Sequence, residues 1–230
     1  MIARELMGTA KIPGGNEHGG ELRLFRRALK HADEFSIMLG RIELMNSRLS
    51  GSEEALATLG CERLTKPNPR VLIGGYGMGF TLRAAQAALP EAAEIVVAEL
   101  IPAILDWARG PMQELTNNSL DDPRVEIIVG DVCNIIAQAS DEYDAILLDV
   151  DNGPDGLTHE SNDRLYNMAG LQASKSALKS GGVLAVWSSE DDPRFTRRLQ
   201  KANLTVEERT VSARQNGKGA RHMIWLATKS

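Results

Sequence analysis

Three carboxylates, each closing an apolar run, are the residues of this chain best placed to do chemistry. Glu99 closes Ile95-Val-Val-Ala-Glu99, Asp131 closes the run at 125–131, and Asp149 closes the run at 143–149. Ahead of them, in RVLIGGYGMGF at 70–80, Gly74, Gly75, Gly77 and Gly79 follow the apolar Val71-Leu72-Ile73. Carboxylates accept hydrogen bonds from hydroxyl and amino groups, and glycines let a ligand approach the backbone closely. The chemistry on offer is the capture of a nucleoside-like ligand, with charge stabilisation or proton transfer beside it. A single acid in such a place reads as a helix cap. Three at matching positions, behind a glycine turn, read as a site. No Lys-Ser/Thr pair follows the glycines, so the turn is not a Walker phosphate loop.

Positioning these groups requires a strand, a glycine turn and a helix, repeated. Glu99 lies about 20 residues beyond the last glycine, the spacing at which an acid ending a second strand reaches ribose hydroxyls. Parallel neighbouring strands would bring all the turns to one sheet edge, where ligands of open α/β sheets bind. The alternation continues with a helix at 162–179, a fifth strand Val183-Leu-Ala-Val-Trp187 and a helix opened by Pro193. The tail then breaks the pattern. Segments 205–211 and 221–228 read as strands with no helix between them, so they pair as a hairpin and one runs antiparallel to the rest. The expectation is an α/β Rossmann-like fold of the class I methyltransferase type, with a mostly parallel seven-stranded sheet and a terminal antiparallel hairpin. It occupies residues 51–230, starting at a helix capped by Ser52. A small β-strand region at 21–50 precedes it, with strands at 21–27 and 34–46 and a turn at Gly40-Arg41. Residues 1–20, Gly-rich from Pro13 to Gly20, read as a flexible N-terminus.

Composition narrows the function. The chain has 230 residues, 43% of them hydrophobic, enough for one sizeable core. A net charge of -5 argues against nucleic-acid or acidic-membrane partners. No apolar run approaches the length that spans a bilayer. Cys61 and Cys133 form no Cys-x-x-Cys pair and fit a reducing, cytoplasmic setting. His159 and His222 stand without a partner at ligand spacing, and the acidic loop Asp149-Val-Asp-Asn-Gly-Pro-Asp155 departs from a calcium loop, so no metal is expected. Arg209, Arg214, Lys218 and Arg221 gather around the terminal hairpin. They read as a solvated face, with an anion grip as the sharper alternative. Arg48 and Trp187 read either as site walls or as ordinary surface and core residues.

Taken together, VLIGGYGMGFTLRAA, VVAELIPAILDWARG, DDPRVEIIVGDV and YDAILLDVDNGP resemble the motifs of spermidine synthases and their shorter relatives among S-adenosylmethionine-binding proteins. The resemblance runs from about Glu34 to the end. It implies that Gly74, Gly75, Gly77 and Gly79 line a nucleoside-bearing donor and that Glu99 holds its ribose. Asp131 and the backbone N–H of Val132 would meet its adenine. Asp149 and Asp151 would be the catalytic acids of the transfer centre. The implied donor is S-adenosylmethionine or its decarboxylated form, without metal. The implied activity is aminopropyl transfer to an amine such as putrescine, by a homo-oligomer, in outline a dimer. Three departures stand beside it. Gly77 occupies the place of an Asp, Leu56-Ala57-Thr58 stands near a usual Tyr-His-Glu, and the aspartate loop is shorter. Methyl transfer to a small acceptor is therefore an alternative, and a non-catalytic nucleoside-binding protein a further one. An NAD-dependent oxidoreductase fits the terminal hairpin poorly.

Overall fold

Alternation of apolar and polar residues builds the first layer. Leu22 and Leu24, then Phe35 and Ile37, point one way and are buried. In the computed structural model, which describes residues 4–12, 20–30, 32–150 and 163–230, they belong to a four-stranded antiparallel sheet. Its order is β1 (Glu5–Lys11), β2 (Glu21–Arg27), β3 (Glu34–Leu39), β4 (Ile42–Asn46). β1 departs from the reading of 1–20 as flexible. Its sequence, ELMGTAK, has no clean alternation; a register shift between Leu6 and Gly8 interrupts its pairing with β2. What places it is tertiary contact. A Cβ on Gly8 would lie 2.4 Å from Trp107 Nε1, so the strand presses its bare backbone on that indole.

Continuous apolar runs build the second sheet. β5 (Arg70–Gly74), β6 (Glu94–Glu99), β7 (Val125–Val129), β8 (Tyr143–Leu148) and β9 (Leu178–Ser188) are parallel, and β10 (Leu204–Ser212) and β11 (Arg221–Lys229) close the chain. The order is β10-β11-β9-β8-β5-β6-β7. β11 runs antiparallel to both its neighbours, because a short hairpin connection reverses the chain where a helix would have carried it back. The helices are α1 (Gly51–Cys61), α2 (Phe80–Ala88), α3 (Pro102–Arg109), α4 (Gln113–Thr116), α5 (Val132–Gln138), α6 (Asp163–Tyr166), α7 (Met168–Ala177) and α8 (Pro193–Lys201). Successive residues of β5 face opposite layers. Val71 and Ile73 pack with α1, α2, α3 and the inner face of the small sheet, and Leu72 with α5, α7 and α8.

Three local expectations change. Ser50, not Ser52, precedes α1 and makes no side-chain cap; the Ser52 hydroxyl instead meets His222 Nδ1 at 2.8 Å. The helix expected over 162–179 is divided at Asn167, whose side chain accepts the Gly170 N–H at 3.0 Å and restarts the helix as α7. β9 then begins at Leu178, five residues before Val183.

One buried carboxylate ties the edge of the sheet opposite the acids. Asp144, 4% exposed, accepts from Lys66 at 2.6 Å, Lys179 at 2.8 Å and the Arg70 N–H at 2.9 Å. Burial pushes its pKa up, but the Arg70 N–H and the two lysines outweigh it and hold it below the ordinary Asp value. A folded value below the unfolded one means stability present above the unfolded pKa and lost as pH falls through the folded pKa. Urea melts should therefore weaken on acidification below about pH 4, near the unfolded Asp pKa, and Asp144→Asn should flatten that decline while lowering stability at pH 7. An Asp144→Asn protein with wild-type melts at both pH values would refute this anchor.

Candidate active site

Backbone hydrogen bonds carry the strand pairing past the strand ends and set the site residues side by side. Gly75 N–H donates to Ala98 O at 2.9 Å, Gly130 N–H to Glu99 O at 2.9 Å, and Asp149 N–H to Gly74 O at 2.9 Å. The glycine turn, Glu99, Gly130-Asp131 and Asp149 thus meet at one edge. Together with Val132 and Val150 they line a cleft of about 140 Å³. Ile12, Leu22, Leu44 and Met45 of the small sheet also line it. A wider groove of about 910 Å³ between α1 and α2 holds none of these strand-end acids. The smaller cleft is therefore the candidate site.

The turn needs its glycines for distinct reasons. Gly75 has φ +87°, and a Cβ there would stand 2.4 Å from Asp149 O. Gly74 ends β5 in close contact with Val132, whose Cγ2 would be 3.1 Å from an added Cβ. Gly77 faces Met45, with Sδ 3.4 Å from its would-be Cβ. Gly79 precedes α2 in a left-handed conformation.

Glu99 is 5% exposed. Its Oε2 accepts from Tyr76 N–H at 2.9 Å and its Oε1 from Ile101 N–H at 2.8 Å. Burial raises its pKa, and backbone N–H groups, that of Ile101 foremost, pull against the rise. A carboxylate so oriented still has lone pairs for two hydroxyls. Asp131 does cap its helix, accepting the Cys133 N–H at 2.8 Å, and also pairs with Arg164 at 2.8 Å. Val132 opens α5, where first-turn N–H groups lack intrahelical partners.

Asp149 is half-buried, and its Oδ2 accepts the Thr81 hydroxyl at 2.6 Å. Burial pushes its pKa up to about 6, against the pull of that hydroxyl. A carboxylate with that value is ionised at pH 7 and close enough to it to exchange protons. Asp151, the second expected catalytic acid, lies outside the described residues, as do Asp155 and His159. Among the described residues no group of three or more His, Cys, Asp or Glu is arranged to hold a metal, and no described helix is long and apolar enough to cross a membrane.

Two of the basic residues around the terminal hairpin are engaged locally. Arg209 pairs with Glu207, and Arg221 donates to Thr210 O. Arg48 pairs with Glu43 and Asn46 at the surface. Trp187 packs partly buried, its ring edge-on to His222 at 5.0 Å. Sequence reasoning missed Thr81, which stands inside the quoted glycine stretch with no role attached to it, and the roof formed by the small sheet. Glu53, in the first turn of α1, belongs to none of the quoted motifs.

The strand order, the antiparallel β11, the glycine turn on β5 and the acid on β6 define the class: a Rossmann-like α/β protein of the class I methyltransferase type. The spermidine synthase from Thermotoga maritima shares this fold over 98% of this chain and 73% of its own, with a TM-score of 0.72 at 21% identity. The spermine/spermidine synthase domain matches residues 50–211, and the chain belongs to that family. Among curated relatives, a polyamine aminopropyltransferase of Korarchaeum cryptofilum is 28% identical over 126 residues, covering 54% of this chain and 37% of the relative. A putrescine N-methyltransferase 2 of Nicotiana attenuata is 34% identical over 120 residues, covering 51% and 30%. The matched stretch spans about a third of the length of these relatives.

Proposed function

We propose that the protein transfers an aminopropyl group from decarboxylated S-adenosylmethionine to an amine acceptor of the putrescine type. One observation carries the choice of donor. The cleft is lined by Glu99, Asp131 and Asp149, with no Lys, Arg or His among its described lining residues. A decarboxylated donor brings a sulfonium and an ammonium, two positive charges, to that acidic wall. S-adenosylmethionine adds a carboxylate, and among the described residues the one arginine beside this wall, Arg164, is already paired with Asp131. In this reading Glu99 takes the ribose hydroxyls, Asp131 and Val132 the adenine edge, and the turn from Gly74 to Gly79 the middle of the donor. Asp149 accepts a proton from the acceptor's ammonium. The freed nitrogen pair forms a bond to the carbon beside the sulfonium, the C–S bond breaks, and its electrons stay on sulfur. Asp151 is proposed to help hold the acceptor. The homo-oligomeric and cytoplasmic setting is proposed with this reading; the exposed Leu6 and Ile42 on the edge strands β1 and β4 suit a subunit contact.

Methyl transfer to the same kind of acceptor is the second reading. The putrescine N-methyltransferase likeness favours it, as does Gly77, where Met45 rather than an acid meets the donor's tail. Thermal unfolding with each donor separates the two. At 100 times its dissociation constant a ligand adds about 2.7 kcal/mol, a rise of roughly 5–10 °C for a domain of this size. Decarboxylated S-adenosylmethionine and methylthioadenosine are expected to give the larger shifts. A larger shift with S-adenosylmethionine moves the assignment to methyl transfer, and no shift with any of the three ends both readings.

A further inference from the structure

One half-buried acid beside Asp149 has no part in the roles above. Glu53 sits in the first turn of α1, and its Oε2 is closed off from solvent with no hydrogen-bond partner among the described residues. Thr81 joins it to the reaction centre. The Thr81 hydroxyl lies 2.6 Å from Asp149 Oδ2 and 3.3 Å from the main-chain oxygen of Glu53. A buried acceptor left unmet is costly to a fold, and its persistence beside a second acid points to an occupant that brings donors and positive charge. An ammonium has three N–H donors and one charge. Among the described residues no third His, Cys, Asp or Glu joins the two acids in a group that could hold a metal.

We propose that Glu53 is the second acid of the acceptor seat, binding the acceptor's ammonium together with Asp149 and through the frame that Thr81 provides. This rests on the transferase reading above and adds to it a residue at which none of the motifs pointed. The electrostatics agree. Burial first, then the charge of Asp149, then that of Glu54, raise the Glu53 pKa well above the ordinary range. The groups facing the pair are Asp149 at the end of β8, Glu54 on α1 itself and, through Ser52, His222 on β11; α2 contributes the uncharged Thr81. Burial lowers the His222 pKa, so it brings no positive charge at pH 7. Both shifts run towards the protonated form, so the empty pair favours keeping a proton that an entering cation would displace. When an ammonium enters, both carboxylates can ionise against it, and that proton leaves to solvent. In the transfer step the ammonium gives a further proton to Asp149, its nitrogen pair forms the N–C bond, and Glu53 stays charged against the remaining N–H.

The test is calorimetric titration of putrescine into protein saturated with methylthioadenosine, at pH 7, in phosphate and in Tris. The difference in heat reports protons released. Wild type is expected to release about one proton per putrescine bound. Glu53→Gln, isosteric with the protonated acid, is expected to release almost none and to weaken putrescine binding at least about tenfold, with methylthioadenosine binding unchanged. Glu62→Gln, which removes an exposed carboxylate just past the end of α1, should behave as wild type. If Glu53→Gln does not fold, Glu53→Asp keeps the charge on a shorter arm; it should still release the proton but bind putrescine more weakly. A folded Glu53→Gln protein that matches wild type in proton release and affinity, or a Glu53→Asp protein with unchanged affinity, overturns the role of Glu53 while leaving amine binding intact. Wild type that takes methylthioadenosine but no putrescine overturns the amine reading itself, and this inference with it.

Discussion

Asp149→Asn is expected to lower kcat/KM for amine transfer by about 10²–10⁴-fold, the range that a positioned proton acceptor contributes. The side chain keeps its shape and can still accept the Thr81 hydroxyl, so methylthioadenosine binding should persist while the acceptor goes unactivated. The wild-type profile should carry the signature of the group. With the Asp149 pKa pushed up to about 6, kcat/KM rises with pH through that value and levels above it, and the variant loses this acid limb. Stability moves the other way. An acid whose folded pKa lies above its unfolded one favours folding only while protonated, a contribution present below the unfolded pKa and lost as pH rises through about 6. Asp149→Asn should therefore melt higher than wild type at pH 7 and little differently near pH 4. An active Asp149→Asn protein, or one that keeps the acid limb, removes Asp149 from the reaction.

The largest structural effect is expected at Gly75. Alanine there must adopt φ +87° with its Cβ 2.4 Å from the Asp149 carbonyl oxygen. The left-handed conformation costs an L-residue about 1–2 kcal/mol, and forcing the β5 and β8 turns apart about 1–3 kcal/mol more. Urea unfolding should show a loss of about 2–5 kcal/mol, the sum of those two costs. Gly181→Ala provides the comparison, because it too has a positive φ, +75°, but open space around its would-be Cβ. Its loss should stay near the backbone cost of about 1–2 kcal/mol. Ligand binding should separate them further. Gly75→Ala displaces Asp149 and should abolish the methylthioadenosine shift, whereas Gly181→Ala should leave it intact. Equal losses in the two variants would show that the close approach of the two turns carries no energy.

Much of the site was readable because its parts are local. Gly75, Gly77 and Gly79 announce a turn through their spacing, and the acids at 99, 131 and 149 announce strand ends through the apolar runs before them. The reversal at the terminal hairpin follows from a connection too short for a helix. What was not readable depends on residues distant in the chain. Ser52 looks like a cap and instead meets His222, which lies 170 positions away. The arginines around the hairpin left a solvated face and an anion grip both open to a reader of the sequence, and only the fold shows Arg209 and Arg221 meeting partners on β10. β1 has no pattern of its own and is held by its pairing with β2 and by the close approach of Gly8 to Trp107.

By itself the sequence determined the order of strands and helices, the glycine turn and the positions of Glu99, Asp131 and Asp149. Those features rest on periodicity and on backbone freedom, which a few neighbouring residues settle. The tertiary structure decided which groups share a cavity. It brought Glu53 and Thr81 to Asp149 from two different helices, and it laid Leu22, Leu44 and Met45 over the cleft. It also set the charge state of the acids, because desolvation depends on everything packed around a carboxyl group and not on its neighbours in the chain.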